Sequence, residues 1–255
     1  MSTGEQLGAA LKLLMIFSFK YGIIFKNETF LKSEVEYMTY QELKNNEEIR
    51  TYITKADESL SALGFTEHSF AHVGRVADTA AYILKTLNYT QHDIEMVQIA
   101  AYLHDIGNLV NRIEHSQSGA VLAFRLLDHM NMPATDIATV VTAIGNHDEG
   151  TGVAVNPVAA ALILADKSDV RRSRVRNYDT STFDIHDRVN YSVKSSHLSI
   201  NDDKTEITLT LEIDTQYSSV MDYFEIFLNR MIMCRKAAET LSLRFKLIIN
   251  GQSLL

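Results

Sequence analysis

The sequence predicts a mainly α-helical protein with a small α+β appendage of β-β-α-β order at its C-terminus. From residue 38 to about 176, apolar residues recur at helical spacing, and capping residues and prolines stand at the starts of segments. From residue 177 onward, two runs rich in β-branched residues flank the turn NDDK and precede a long helical segment and a last run, FKLIING. A content of 46% hydrophobic and 22% charged residues fits a folded globular chain.

These changes divide the 255 residues into three parts. We expect residues 1–37 to be an N-terminal extension with a helix, residues 38–176 a helical domain, and residues 177–255 a small α+β domain of unknown role. The apolar stretch at residues 8–25 is interrupted by two lysines, which leaves runs too short to cross a bilayer. The expected helix packs on the body or on a partner, with attachment to a membrane surface as the alternative.

Caps and helix-ending residues place the individual elements. The capping-box pattern from Thr39 to Glu42 predicts one helix that continues to Leu63, before a glycine. Pro133 and Pro157 are each expected at the first position of a helix. Three further helices are predicted at about 70–87, 92–105 and 115–130. In the appendage, strands are predicted within 191–200, 205–214 and 245–251, and a helix over 218–243.

Charge and cysteine content exclude several classes of function. The net charge of −8 argues against a broad nucleic-acid-binding surface, so no stable nucleic-acid partner is expected. Cys234 is the single cysteine, which excludes an intrachain disulfide and a cysteine-based zinc cluster. We therefore expect a cytoplasmic protein without an integral membrane span. Whether copies of the chain form a homo-oligomer is left open.

Histidines and aspartates at helix ends form the chemically informative pattern. They are His72 on the second long helix, His104 and Asp105 at the end of the next, His115 at the start of another, His147 in IGNHDEG, and Asp166 in ILADKSD. Each of these residues, taken alone, has a simpler explanation as a hydrogen-bonded core residue or as a residue of a turn. Imidazoles and carboxylates from successive helices, taken together, indicate a transition-metal site in a helical core.

The order His72, His104-Asp105, Asp166, with HDIG as the central tetrapeptide, resembles the signature of the HD superfamily of metal-dependent phosphohydrolases. The resemblance covers roughly residues 60–176 and implies an HD-type helical bundle. It also implies a hydrolase that cleaves a phosphate ester by a metal-activated hydroxide. The substrate would be a small phosphorylated molecule, a nucleotide or a phosphodiester.

Two additional histidines, His115 and His147, are similar to those of HD proteins that hold two metal ions. The segment IGNHDEG also resembles the HHE segment of the HD-GYP cyclic-dinucleotide phosphodiesterases. Asp148 stands where those proteins have a second histidine, however, and the GYP signature is absent. This difference argues against cyclic di-GMP as the substrate.

The resemblance implies a role for each ligand. Asp105 would bridge two divalent transition-metal ions, iron or manganese by preference, with zinc, cobalt or magnesium as alternatives. The first ion would be completed by His72, His104 and Asp166, and the second by His115 and His147. Asp105 and Lys167 are the expected catalytic residues.

Three residues are candidates for binding the substrate. His68 lies four residues before His72 on the same helix face, as a further ligand or a phosphate contact; a position outside the ligand shell is the alternative. The run KSDVRRSRVR places Lys167 and Arg171 just after Asp166, where they would hold phosphate groups. A solvated helix end with charges that favour the helix dipole is the structural alternative.

Two other functions use the same residues. A few HD-fold proteins with a similar ligand set are oxygenases that activate oxygen at a diiron centre. A sensor or scaffold could retain the metal while the appendage carries a partner interaction. The complete ligand set and the neighbouring basic residues favour the phosphohydrolase.

Overall fold

The computed structural model describes residues 38–254, which contain nine α-helices and one four-stranded sheet. The helices are α1 (Tyr40–Asn45), α2 (Glu47–Ala62), α3 (Phe70–Thr86), α4 (Gln91–Leu103), α5 (His115–His129), α6 (Ala134–Gly145), α7 (Pro157–Ser168), α8 (Ile185–Ser192) and α9 (Val220–Thr240). The strands are β1 (Val193–Ile200), β2 (Glu206–Ile213), β3 (Arg244–Ile249) and β4 (Gln252–Ser253). Short 3-10 helices cover Ile106–Leu109, Arg172–Arg174 and Thr180–Thr182. The predicted N-terminal helix lies outside the described residues.

Helix α7 lies at the centre of the helical body. Every residue from Val158 to Ser168 is buried, as expected for a helix that is covered on all sides. It packs against α3, α4, α6 and α9. The apolar stripe of α3, from Val73 to Leu84, is buried as its spacing predicts. Because Asp166 lies in the last turn of this central helix, its carboxylate is carried into the interior of the body.

Two helix starts differ from the prediction. The expected single helix from Thr39 to Leu63 is wrong, because the backbone of Asn46 is extended and separates α1 from α2. The Asn46 side chain instead caps α2 and accepts a hydrogen bond from the N–H of Ile49 at 3.1 Å. Pro133 is the N-cap of α6, and the helix begins one residue later than predicted.

The entry to α7 is confirmed. Asn156 is the N-cap and accepts a hydrogen bond from the N–H of Ala159 at 2.8 Å, and Pro157 occupies the first turn. Proline is tolerated there because the N–H that it lacks would have no partner within the helix.

The appendage has the predicted β-β-α-β order, followed by the short strand β4. Strand order is β1-β2-β3-β4, with β1 and β2 antiparallel, β2 and β3 parallel, and β3 and β4 antiparallel. Helix α9 makes the crossover between the two parallel strands and packs against both β3 and α7. Helix α8 was not predicted. The domain boundary after residue 176 stays a prediction.

No helix within residues 38–254 has the length and apolar character that a membrane span requires.

Candidate metal centre

The six predicted ligands come from five helices and meet inside the helical body. His72 lies in the first turn of α3, His104 is the C-cap of α4 with Asp105 next to it, His115 begins α5, His147 follows α6, and Asp166 lies in the last turn of α7. All six are buried, with at most 9% of their surface exposed. Burying this many ionisable groups without partners would cost free energy. Their contacts with each other therefore show how the charges are compensated.

Each of the four cluster histidines directs its Nδ1 toward an oxygen that can only accept a hydrogen bond. The partners are the Asp169 carboxylate for His72 (2.8 Å), Ala101 O for His104 (2.7 Å), Arg112 O for His115 (3.1 Å) and Ile144 O for His147 (2.6 Å). The proton of each neutral ring therefore lies on Nδ1, and Nε2 carries a lone pair.

These lone pairs face one another. The Nε2 atoms of His72 and His104 are 3.3 Å apart, and those of His115 and His147 are 3.1 Å apart. Two lone pairs cannot form a hydrogen bond, and the nearby carboxylate oxygens add further acceptors. Histidines that bind a metal ion usually have one ring nitrogen free to accept and the other fixed by a hydrogen bond. The Nε2 and Nδ1 atoms of these four histidines have this arrangement. The residues present therefore fit a metal.

The ligand atoms form two overlapping groups. His72, His104 and Asp166 make one, and His104, Asp105 and His147 the other; within each group all ligand atoms lie within 4.8 Å of one another. Asp105 faces both sides of the cluster, because its Oδ2 is 3.2 Å from His104 Nε2 while its Oδ1 is 3.4 Å from His115 Nε2. This placement suits a carboxylate that bridges two ions.

Asn108 and Arg112 belong to the site, although the sequence analysis did not select them. The Asn108 amide donates to Asp105 Oδ1 at 3.0 Å and so orients that carboxylate. Nη1 of Arg112 lies 3.2 Å from His115 Nε2, so this nitrogen has a hydrogen-bond donor beside it. The spacing of three residues from Asp105 to Asn108, within one helical turn, was a signal that could have pointed to the asparagine.

The electrostatics of the cluster favour an added positive charge. Burial opposes charge on His104, but Asp105 and Asp166 outweigh it and raise the His104 pKa to about 10. Burial would raise the pKa values of the two aspartates, yet His104 on Asp105 and Lys167 on Asp166 hold them well below the usual range. Burial and neighbouring positive charges lower the pKa of His147. The aspartates are therefore ionised acceptors for a cation.

Lys167 is buried and holds Asp166 in place. Its Nζ lies 2.7 Å from Asp166 Oδ2 and 3.5 Å from Glu149 Oε2. Arg230 of helix α9 forms an ion pair with the other oxygen of Glu149 at 2.5 Å. A chain of alternating charges thus runs from the appendage to a ligand. Neither Glu149 nor Arg230 was among the predicted site residues, and nothing local in the sequence links these two distant positions.

The structure brings His68 to the cluster and places Arg171 farther away. His68 Nε2 is 4.0 Å from Asp105 Oδ2, while its Nδ1 contacts Thr66 O at 2.6 Å. The Arg171 guanidinium donates to Asp169 Oδ1 and to Glu67 Oε2, both at 2.9 Å. It reaches the cluster only through Asp169. The substrate-binding roles of His68, Lys167 and Arg171 stay predictions.

Comparisons with known proteins find similarity to one protein family and to two other proteins. The model of the HD domain matches residues 69–174. An uncharacterized protein of Methanocaldococcus jannaschii is 26% identical, over 74% of this chain and 80% of that protein. A crystal structure described as a predicted HD superfamily hydrolase from an uncultured Thermotogales bacterium is 26% identical, with a TM-score of 0.40, and covers 52% of this chain and 75% of that chain. The matched range contains all six buried candidate ligands, so the part of the chain that forms the cluster is similar to the HD domain.

Proposed function

We propose that this chain is a metal-dependent phosphohydrolase that cleaves a phosphate ester, with a nucleotide or a phosphodiester as its substrate class. The observation that carries the proposal is the convergence of the Nε2 atoms of four histidines on two ionised carboxylates in a buried cluster. Such a set is suited to divalent transition metals, and hydrolysis of phosphate esters is a reaction that they promote.

The proposed site holds two ions, with Asp105 shared between them. His72, His104 and Asp166 would hold the first ion, and His115 and His147 the second. When bound, two such ions acidify a water molecule and neutralise the charge on a phosphate group. The Arg112 contact with His115 makes the second set the weaker one, because the arginine competes for the same lone pair. Imidazole-rich ligation favours iron or manganese and also accommodates zinc or cobalt.

The chain's own groups hold the candidate ligands in position. Asp169 and three backbone carbonyls fix the imidazole tautomers, so the rings need no reorientation to bind an ion. Lys167 forms its ion pair with Asp166 Oδ2, which leaves Oδ1 facing His72 and His104. In this proposal Lys167 is a positioning residue.

Arg112 is the proposed contact for the substrate phosphate. Its guanidinium contacts His115, the side-chain oxygen of Asn108 and the ring of Phe65, all of which are neutral groups. A phosphate oxygen would be a stronger acceptor than any of these partners. His68 fits a further ligand better than a phosphate donor, because the contact with Thr66 O keeps the proton on Nδ1 and leaves Nε2 as an acceptor.

The first experiment measures metal content and phosphate release together. Wild-type protein purified without oxygen is expected to hold about two equivalents of iron or manganese, as in two-metal hydrolytic sites. It should also hydrolyse p-nitrophenyl phosphate or its bis-ester, and lose that activity after chelation. Asp105→Asn is expected to lose metal and activity, while Asp128→Asn, an exposed aspartate on α5, keeps both.

Two results would overturn the proposal. Folded wild-type protein that takes up no metal would remove the basis for any metal chemistry. Metal-loaded protein that releases no phosphate from a panel of mono- and diesters would contradict hydrolysis. In that case, oxygen consumption would identify an oxygenase, and its absence a metal-retaining sensor.

A further inference from the structure

A cleft of about 800 Å³ lies between helix α3, the segment that follows α7, and strand β1. Among the described residues, none of the six candidate metal ligands lines this cleft, so it is separate from the cluster. Asp169 forms part of its wall, and the same carboxylate binds His72 on the other side. The cleft volume lies within the range of about 300–1,000 Å³ that is typical of small-molecule sites.

Four cationic side chains and two carboxylates, those of Asp78 and Asp169, line the cleft, although the chain as a whole has a net charge of −8. The cationic lining residues are Arg75 on α3, Arg171 and Arg172 after α7, and Lys194 on β1. Two of them are available to a ligand: the side chain of Arg75 is 59% exposed and that of Lys194 is 47% exposed. Their ion pairs, at 3.6 Å to Asp169 and 3.3 Å to Asp214, are at the surface and weak enough for an anion to compete.

The backbone and the aromatic residues around the cleft fix these cations. The pairing of β1 with β2 shifts register between Val193 and Ser195, which places Lys194 at a β-bulge. Bulges redirect a side chain and occur often beside binding sites. The Arg172 guanidinium lies 4.3 Å from the centre of the Tyr191 ring, and its Nε donates to the backbone oxygen of the same tyrosine at 2.6 Å. The backbone position of Lys194 and the side-chain position of Arg172 are therefore set before a ligand binds.

Tyr82 gives the cleft an aromatic wall. The residue is 40% exposed, and its hydroxyl accepts a hydrogen bond from the backbone N–H of Ile200 at 3.2 Å. Tyr82 and Arg75 are two helical turns apart on α3, so they share a face of that helix. An exposed ring held at its hydroxyl end offers its face to a planar group, and stacking of this kind contributes about 1–3 kcal/mol per nucleic-acid base.

We propose that this cleft binds a phosphorylated small molecule with a planar ring, whose phosphate contacts Arg75 and Lys194 and whose ring stacks on Tyr82. The proposal stands independently of the proposed function, because the cleft contains no metal ligand of the cluster. It assigns to the interface of α3 and the appendage a binding site that is distinct from the metal centre.

The test measures binding in protein that cannot hold metal. Full-length Asp105→Asn, treated with chelator, is titrated calorimetrically with AMP and with inorganic pyrophosphate at fixed ionic strength, because screening changes such affinities. Each probe should bind with a stoichiometry of one molecule per chain. Arg75→Gln and Lys194→Gln should each weaken both probes about tenfold, the loss expected for one charge-assisted contact. Tyr82→Leu should weaken AMP alone.

Matched controls separate specific binding from surface charge. Arg125→Gln removes an exposed cation on α5, and Tyr178→Leu removes an exposed ring; neither residue lines the cleft, and both variants should bind like the parent. The substituted cleft side chains are at least 40% exposed, so the variants are expected to fold. Absence of binding at millimolar probe, or equal affinity in the Arg75→Gln/Lys194→Gln double variant, would overturn the proposal.

Discussion

At the scale of single residues, the Asp169 carboxylate determines which nitrogen of His72 is available to an ion. It accepts the Nδ1 proton at 2.8 Å, and it also receives Arg171 and lies near Arg174. Burial would raise the Asp169 pKa, but His72 and the two arginines hold it well below its usual value. A neutral amide at this position would accept the same proton more weakly and would remove one of the two carboxylates that pair with Arg171.

We therefore expect Asp169→Asn to lower metal affinity by about 10- to 100-fold, the usual effect of removing a hydrogen-bond partner of a ligating histidine. The affinity is measured by competition with a chelator of known strength, using manganese. Asp128→Asn is the control with the same change of charge on an exposed helix face. Equal affinity in the two variants would show that Asp169 does not prepare His72. A thermal melt of each variant checks that the chain is folded.

Gly107 has a different role, which is to allow a close approach of backbones next to the cluster. A β-carbon at this position would overlap the carbonyl oxygen of His115 and the backbone nitrogen of Gly119. A β-carbon on Gly74, in the interior of α3, would meet nothing within 4 Å. The same substitution should therefore have opposite effects at these two glycines.

Gly107→Ala is expected to lower the free energy of unfolding by about 1–3 kcal/mol, as for other overpacked sites, and to displace His115. Gly74→Ala should raise it by about 0.5–1 kcal/mol, because alanine is the better helix residue. Urea denaturation of the metal-free variants measures both changes. A similar change in the free energy of unfolding of the two variants would contradict the close approach of backbones at Gly107.

The sequence placed the six candidate ligands at helix ends or beside apolar stripes from local spacing, and the resemblance to the HD signature selected them as a set; their role as metal ligands stays a prediction. His72 on the stripe of α3 and Asp166 late in α7 are of this kind. Glu149 and Arg230 were missed because their pairing depends on how α9 packs against α7, and no local pattern carries that information. The break at Asn46 was missed because a capping asparagine inside a helical pattern looks like an ordinary polar residue.

At the scale of elements, helix α9 connects the appendage to the metal centre. It packs on α7 and β3, and its Arg230 reaches Glu149, which in turn pairs with Lys167 beside Asp166. Burial would raise the Glu149 pKa, but Lys167 and Arg230 hold it at about 2. Loss of Arg230 would leave the Glu149 carboxylate with Lys167 as its remaining ion-pair partner among the contacts described.

We expect Arg230→Met to destabilise the fold by about 1.5–3 kcal/mol, the value of a hydrogen bond to a charged group, and to weaken metal binding less than Asp169→Asn does. The free energy of unfolding and the manganese affinity are measured on the same preparation. Arg235→Met is the control, since Arg235 is exposed on the same helix. If both variants had the same stability, α9 would contribute packing but no electrostatic support to the site.

At the scale of the whole molecule, the cluster ties together helices that are distant in the sequence. Its candidate ligands come from α3 and α7 and from the ends of α4, α5 and α6, so the metal ions that they would hold have no comparable site in the unfolded chain. Binding to the folded state alone adds to global stability by mass action. At a free metal concentration of 100 times Kd, the added stability is about 2.7 kcal/mol.

Cys234 provides a way to measure this linkage. It is the single cysteine of the chain and is buried in α9, where burial raises its thiol pKa to about 12. A thiol reagent should therefore modify the native protein only through opening of the fold. With saturating manganese at about 100 Kd, the labelling rate in mild denaturant should fall about 100-fold, which matches the added 2.7 kcal/mol when opening and closing are fast. Asp105→Asn should show no such slowing, and an equal slowing in this variant would place the stabilising ion outside the cluster.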